Sequence, residues 1–184
     1  MSLKRREALA EQIANAQPKL GNFLRDHHIS VAIVGSWDFM SYSFQRGFEQ
    51  MWDLARVDMS GLLTPPLLSL WRQSIELCIK AAILDIAGVI EGRPGHNLEK
   101  LFNLLLKVCA AHGLDGDDEL TESVRTMVRF AQSFDPSADR FRYPEGRGGT
   151  SYPAITVDFD ELYQAHWIIS TWCEGAAMEI NGDI

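Results

Sequence analysis

The segment from Thr64 to Ile90 constrains the fold of this chain more than any other part of the sequence. It is the longest apolar segment, and it carries three charged residues, Arg72, Glu76 and Lys80, at intervals of four. A helix brings residues four apart onto one face, so the charges form a single stripe on a helix that is otherwise apolar almost all round. A helix of this kind is typical of a domain interior. The segment therefore predicts a helical domain built around it.

Apolar residues recur at steps of three and four in much of the remaining chain, which is the pattern of amphipathic helices. Five further helices are predicted at about residues 3–25, 36–55, 97–112, 118–133 and 159–179. Between about 139 and 157, two short β-like runs flank a glycine-rich turn, and this favours a small β-hairpin or an extended loop. No internal repeat or linker divides the chain. We therefore predict a single domain over residues 1–184, mostly all-α, with a bundle of five to six helices.

Polar residues ahead of the helices predict where each one begins. Ser36 and Thr64 are expected to cap the helices that follow them, and Asp158 with Glu161 resembles a capping box. On the helix at 118–133, Leu120 is expected to point inward with the other apolar residues of its face. The helix at 36–55 carries a regular apolar stripe that we expect to lie in the core. That stripe consists of Trp37, Met40, Phe44, Phe48, Met51, Trp52 and Ala55.

Charge and cysteine content argue against several functional classes. The net charge of -8 argues against strong non-specific binding to nucleic acid, which depends on clustered Lys and Arg. The cysteines, Cys78, Cys109 and Cys173, are dispersed, so we expect a reducing cytoplasm rather than a disulfide framework or a zinc site. The adjacent His27 and His28 diverge in a helix or a strand and do not predict a metal site. No apolar run reaches the roughly 18 residues of a membrane span. We expect a cytoplasmic protein without a metal, a cofactor or a membrane partner.

Three short motifs occur in an order that resembles a known family. A proline precedes an Arg-x-x-x-Glu-x-x-x-Lys-Ala helix, a His-Asn-Leu segment opens the next helix, and a Phe-Arg-Tyr-Pro segment precedes the final helix. The residues are Pro66, Arg72, Glu76, Lys80 and Ala81, then His96, Asn97 and Leu98, then Phe141, Arg142, Tyr143 and Pro144. Over about residues 36–178 the chain resembles a bacterial branch of uncharacterised proteins in the HEPN-like (higher eukaryote and prokaryote nucleotide-binding) all-helical superfamily.

The resemblance implies a bundle of four or five helices that is often a homodimer. Members include metal-independent ribonucleases, toxins and phage-defence components, and the ribonucleases rely on Arg-x(4–6)-His at the dimer interface. None of the five histidines here has an Arg at that spacing, and Gln73 stands where relatives often place a histidine. We therefore expect a binding or regulatory module in a defence or stress system. A metal-independent ribonuclease is the enzyme alternative, and a structural interaction protein without a ligand is the third.

The charged stripe itself has two interpretations. If it faces inward, all three charges must be paired, because a lone buried charge is very costly. His96 and Arg142 are the expected partners, and a network that locks their loops onto the central helix is favoured. In the ligand interpretation, these residues and the cations of the stripe bind a phosphate of a nucleotide or RNA, while Tyr143 or Phe141 stacks on a base. A ribonuclease would use His96 as general base and Arg142 to stabilise developing charge.

The segment 140–147 adds a second basic feature. Its three arginines are interleaved with Phe141 and Tyr143, a composition typical of loops that bind single-stranded nucleic acid. On this acidic chain we favour instead a hairpin whose aromatic residues pack inward. Its arginines would then pair with Asp135, Asp139 or Glu145.

Overall fold

The computed structural model describes residues 35–146 and 149–182, which form five helices. The helices are α1 (Trp37–Ala55), α2 (Thr64–Ala87), α3 (Leu98–Ala111), α4 (Glu119–Phe134) and α5 (Phe159–Asn181). There is no β-strand in this part of the chain, so the prediction of a mostly all-α bundle is confirmed. None of the described helices is long and apolar enough to cross a membrane. The helix predicted at about 3–25, and the two histidines at 27 and 28, lie outside the described residues.

Helix α2 is the centre of the bundle, since it packs against α1, α3 and α5. Half of its 24 residues are buried, as its nearly all-round apolar sequence predicts. Ile75, Ile79 and Ile83 are at most 1% exposed, and burial of each stabilises the fold by roughly 1.5–3 kcal/mol as an upper estimate. The helix therefore holds any polar group it carries on its inner faces at a fixed position.

The two ends of α2 are formed differently. Leu63 occupies the N-cap position and no side chain caps the helix, so the prediction that Thr64 is the cap is wrong. Thr64 instead lies in the first turn together with Pro65, where the missing N–H of proline costs nothing. At the other end Gly88 adopts a left-handed conformation, with φ 70°. That conformation is cheap only for glycine, and it turns the chain towards α3.

Helix α1 begins where the sequence predicts, because the Oγ of Ser36 accepts a hydrogen bond of 3.1 Å from the N–H of Phe39. Its apolar stripe is only partly buried. Phe48 lies in the core, whereas Trp37 and Met40 are exposed, so the prediction of a core position is wrong for these two residues. Periodicity identifies the apolar face of a helix, but it does not show how far the neighbouring helices extend along that face.

Side chains also cap the three remaining helices. Asn97, Asp118 and Asp158 accept main-chain N–H bonds in the first turns of α3, α4 and α5, respectively. The cap predicted at Asp158 is therefore confirmed. On α4, Leu120 is exposed, and the prediction of an inward position is wrong because the neighbouring Thr121, rather than Leu120, takes the buried position in this first turn.

The segment between α4 and α5 is an extended loop with a single antiparallel bridge between Glu145 and Ser151. The main-chain N–H of Gly146 donates to the carbonyl of Thr150 at 3.0 Å. One bridge does not make a pair of strands, so the extended-loop alternative, rather than the hairpin, describes these residues.

Candidate functional site

The charged stripe of α2 is buried and internally paired. Glu76 is 1% exposed and Arg72 is 3% exposed. One carboxylate oxygen of Glu76 accepts from Nη1 of Arg72 at 3.3 Å, and the other accepts from Nζ of Lys80 at 2.7 Å. The three residues lie one turn apart on α2, so the helix itself brings them into contact. A carboxylate with two cationic partners can remain ionised in the interior.

A third partner reaches Glu76 from the segment between α2 and α3. Nδ1 of His96 donates to the carboxylate of Glu76 at 2.8 Å, and Nη2 of Arg72 donates to the main-chain carbonyl of His96 at 2.5 Å. The next residue, Asn97, is the N-cap of α3, which fixes the backbone at this point. The structure therefore brings Arg72, Glu76, Lys80 and His96 together, and we call these four residues the Glu76 cluster.

Electrostatics within the cluster follow from burial and pairing. Burial alone raises the pKa of Glu76, but the hydrogen bonds and charges of Lys80 and His96 outweigh it, so its pKa lies below the ordinary value of 4.5. Burial lowers the pKa of Arg72, against the opposing effects of Glu76 and Asp135. Nε of Arg72 is buried without a hydrogen-bond partner in the described part of the chain. The cluster is thus charged but not fully satisfied.

The imidazole of His96 combines a fixed orientation with access to solvent. Its side chain is 69% exposed, although Nδ1 is bonded to a buried carboxylate. Because an ionised carboxylate only accepts, Nδ1 carries the proton, and in the neutral ring Nε2 is then an acceptor. A ring held in this way can accept a proton or a hydrogen bond from a bound molecule.

Arg142 and Tyr143, from the loop between α4 and α5, line a cleft together with His96. A cleft of about 460 Å³ is lined by His96, Arg142 and Tyr143 together with residues of the α4–α5 loop. A second cleft, of about 250 Å³, is lined by Arg72 and Arg142. Arg142 makes no bond to Glu76; its guanidinium donates to the carbonyl of Ala138 and lies 5.9 Å from the ring centre of Tyr143. It therefore faces the cluster across two clefts without joining it.

The loop that carries Arg142 is held by contacts that differ from the predicted ion pairs. The guanidinium of Arg140 donates to the carbonyls of Phe134 and Pro153, each at 2.9 Å. Asp135 accepts from the main-chain N–H groups of Asp139 and Arg140. The prediction that carboxylates pair with the arginine side chains is wrong for Arg140 and Arg142, because main-chain carbonyls take their place. Main-chain partners leave no signal in the spacing of charged residues.

One residue that positions the site, Gln132, was not predicted from the sequence. Oε1 of Gln132 accepts from the N–H of Leu98 at 2.7 Å, and its Nε2 donates to the carbonyl of Pro136 at 3.0 Å. Gln132 thus ties the start of α3, next to His96, to the loop that carries Arg142. In the sequence, the only indication of this role is a glutamine among apolar residues of a predicted helix.

A second buried polar pair lies deeper in the bundle. Oγ of Ser74 and Nε2 of His166 are 2.8 Å apart, and both residues are buried. The ring of His166 packs against Phe48, and burial lowers its pKa to about 4. Neither residue lines a described cleft, so the pair resembles a Ser–His dyad in distance alone, without access for a substrate.

Within residues 35–146 and 149–182, no group of three or more His, Cys, Asp or Glu residues is placed to hold a metal ion. Comparison of the chain with models of known families, with curated proteins and with solved structures found no significant match in any of the three.

Proposed function

We propose that this chain is a HEPN-like helical module that binds a phosphate-bearing ligand, a nucleotide or RNA, in the cleft between His96 and Arg142. The observation that carries the proposal is that an imidazole anchored on a buried carboxylate and an arginine line one cleft of about 460 Å³. The guanidinium of Arg142 can donate to phosphate oxygens, for which its planar array of donors is suited, and the imidazole of His96 can do so through Nε2 in its protonated form.

Tyr143 supports a ligand that also carries a base. Its side chain is 59% exposed, and it lines the cleft beside Arg142. Exposed aromatic rings beside cations are used to stack bases of single-stranded nucleic acid, at about 1–3 kcal/mol per base. The cleft also carries Asp139 and Glu145. Their negative charge favours a single phosphodiester over a triphosphate, so short single-stranded RNA is the ligand class that we favour.

A direct binding measurement tests this proposal. A short fluorescein-labelled oligouridylate and, separately, AMP would be titrated into the purified chain at low salt and at rising salt. We expect Arg142→Ala and Tyr143→Ala to weaken RNA binding by roughly tenfold each, since about 1.4 kcal/mol corresponds to a factor of ten. Arg46→Ala is the matched control, because it removes an exposed arginine of α1 that lines neither of the two clefts at Arg142.

The outcomes separate the proposal from its alternatives. Equal weakening by Arg46→Ala and Arg142→Ala would indicate general charge attraction and contradict a site at the cleft. Absence of RNA and AMP binding would favour a structural interaction protein without a ligand. From the same resemblance we propose that the chain forms a homodimer and acts in a defence or stress system. Light scattering after gel filtration tests the homodimer on the same samples, and the phenotype of a deletion under phage challenge tests the role.

A metal-independent ribonuclease is the second candidate, and one observation favours it. The hydrogen bond from Nδ1 of His96 to Glu76 leaves Nε2 of an exposed imidazole as an acceptor. We propose that in this case Nε2 takes the proton of a ribose 2′-hydroxyl. The 2′-oxygen then attacks phosphorus and the bond to the 5′-oxygen breaks, which leaves a 2′,3′-cyclic phosphate. The departing 5′-oxygen takes a proton from water and becomes a 5′-hydroxyl, Nε2 of His96 returns its proton to solvent, and Arg142 stabilises the charge on the phosphoryl oxygens.

Cleavage of RNA in EDTA tests this candidate. His96→Ala should abolish cleavage, and it keeps the main-chain carbonyl that Arg72 contacts. His112→Ala is the control, because this histidine is exposed and its ring bonds the carbonyl of Val108 on its own helix. Absence of cleavage by the parent chain, or equal activity of the two variants, would refute the ribonuclease and leave the binding module.

A further inference from the structure

A cleft at the opposite end of α3 from His96 has a different chemistry. It has a volume of about 410 Å³ and lies between the end of α3, the start of α4 and the face of α5. Apolar side chains form most of its wall. They include Leu106, Leu114, Ile168, Trp167 and Trp172. The indole of Trp167 is 58% exposed, although it lies on a helix whose other faces pack against three neighbours.

The wall of this cleft is held in place before anything binds. Nε1 of Trp172 donates to Oγ1 of Thr121 at 3.1 Å, and the Thr121 hydroxyl donates to the carboxylate of Asp118 at 2.5 Å. The ring of Trp172 also packs against Phe102, with ring centres 5.1 Å apart. The indole therefore loses little side-chain freedom when a ligand covers it, which lowers the cost of binding.

Glycine keeps the floor of the cleft open. Gly175 lies inside α5 and lines the cleft, and a Cβ at this position would have no heavy atom within 4 Å. Glycine in a helix interior costs roughly 0.5–1 kcal/mol relative to alanine, and neither packing nor backbone conformation requires it here. The empty space at Gly175 extends the volume that a ligand can fill.

The charges around the cleft all have one sign. Asp115, Asp118 and Glu179 are among its lining residues, and no Lys, Arg or His is. Asp115 and Glu179 form no ion pair with any described residue. An apolar wall with two indoles and a carboxylate rim complements an organic cation, because aromatic faces attract cations and the carboxylates add to that attraction.

From this combination we infer that the α3–α4–α5 cleft is a binding site for a hydrophobic organic cation of the quaternary ammonium class. The apolar body of the ligand lies against Trp172 and the floor at Gly175. The cationic group faces the carboxylate of Glu179, which lies one turn beyond Gly175 on the same face of α5, and Trp167 extends the apolar wall towards the other end of the cleft. This site is separate from the cleft at Arg142 and does not depend on RNA or nucleotide binding there.

Isothermal titration calorimetry with three probes of similar shape tests the inference. The probes are benzyltrimethylammonium, its neutral carbon isostere neopentylbenzene, and the anion phenylmethanesulfonate. We expect the cation to bind at least tenfold more tightly than the neutral probe, and the anion not to bind. The Asp115→Asn, Glu179→Gln double variant should weaken cation binding by roughly fivefold to tenfold, whereas the exposed neighbour control Asp117→Asn should not.

The variant Gly175→Leu fills the cleft without destabilising the fold. Leucine has the higher helix propensity and the space for its Cβ is empty, so the variant is expected to unfold at a temperature equal to or above the parent's. It should abolish binding of benzyltrimethylammonium. Equal affinity for the cation and its neutral isostere, no saturation by the cation up to about 1 mM, or unchanged affinity in Gly175→Leu would each overturn the inference. Concentration-dependent dimerisation lost in Gly175→Leu, without cation binding, would assign the cleft to a second copy of the chain and overturn it as well.

Discussion

Substitution of Glu76 by glutamine tests the electrostatic account of α2 most sharply. Glutamine has nearly the same shape, so the change removes a charge rather than a volume. At the 3.3 Å separation of Nη1 of Arg72 from the carboxylate, and with an effective dielectric constant of about 20, the Coulomb attraction is about 5 kcal/mol. That attraction offsets the cost of burying the Arg72 charge. Its loss leaves a guanidinium that is 3% exposed without an anionic partner on α2.

The expected loss is about 3–5 kcal/mol in the free energy of unfolding, the usual cost of removing one partner of a buried ion pair. For a chain of this length it corresponds to a fall of roughly 6–20 °C in Tm. Urea titration followed by far-ultraviolet circular dichroism measures it directly. Glu49→Gln is the matched control, because Glu49 pairs with an exposed Arg46 on the surface of α1 and should contribute at most about 1 kcal/mol.

The pH dependence gives a second measure of the same carboxylate. The pKa of Glu76 is lowered in the folded state, so its contribution is fully present above the ordinary value of 4.5 and is lost as the pH falls through the lower folded value. The stability difference between parent and Glu76→Gln should therefore narrow with acidification. A loss no larger than that of Glu49→Gln, or a difference that does not narrow, would refute a buried and ionised Glu76.

The double variant Arg72→Met, Glu76→Leu separates the charge from the burial. Replacement of both partners by apolar residues is often neutral or stabilising, because neither charge then has to be desolvated. Lys80 loses its carboxylate in Glu76→Gln and in the double variant alike, so the comparison of these two variants isolates the charge of Arg72. We expect the double variant to be more stable than Glu76→Gln alone by at least about 3 kcal/mol. If the losses of the single variants Arg72→Met and Glu76→Leu simply add in the double variant, the residues are not coupled and the ion-pair account is wrong.

Three further predictions concern stability at other positions. The pKa of His166 is about 4 in the folded state instead of the ordinary 6.5, so its contribution to the free energy of unfolding is fully present above pH 6.5. That free energy should fall by about 3 kcal/mol as the pH drops to about 4. Urea titrations across this pH range should not show this loss in His166→Gln. Gln132→Ala leaves two main-chain groups without these partners and should lower the free energy of unfolding by about 2 kcal/mol in urea titration. The control Gln50→Ala, at an exposed position, should lower it by less than about 0.5 kcal/mol. Gly88→Ala should cost about 1 kcal/mol in thermal unfolding, because φ is 70° there, and no loss would contradict a left-handed cap.

Much of the helical fold could be predicted because its causes are local. The periodicity of apolar residues located five helices, and the caps at Ser36 and Asp158 follow from side chains that compete for the first N–H groups. Thr64 is not the cap because the helix begins one residue earlier than predicted, with Leu63 at the N-cap position and Thr64 already helical. Exposure of Trp37 and Leu120 depends on how far neighbouring helices extend, which is not a local property.

The candidate site likewise has contacts that could be predicted from the sequence and contacts that could not. Contacts within α2 could be predicted because helical spacing alone brings Arg72, Glu76 and Lys80 together. The contact with His96 was predicted as a partner from elsewhere in the chain, since a buried carboxylate and cations need compensation. The position of Arg142 depends on a loop held by main-chain carbonyls and by Gln132, and such contacts have no spacing rule in the sequence.

The unsatisfied Nε of Arg72 bears on why the charges of α2 are present at all. A cluster with one unbonded buried donor is less favourable than a well-packed apolar layer of the same volume, so stability alone does not account for it. Two features do need the charges: Glu76 sets the tautomer of His96, and Arg72 fixes the carbonyl of the same residue. Both contacts orient one exposed imidazole towards the cleft that Arg142 lines. The double variant Arg72→Met, Glu76→Leu should therefore fold well and yet lose the RNA affinity of the parent, whereas retained affinity would show that the cluster serves the fold alone.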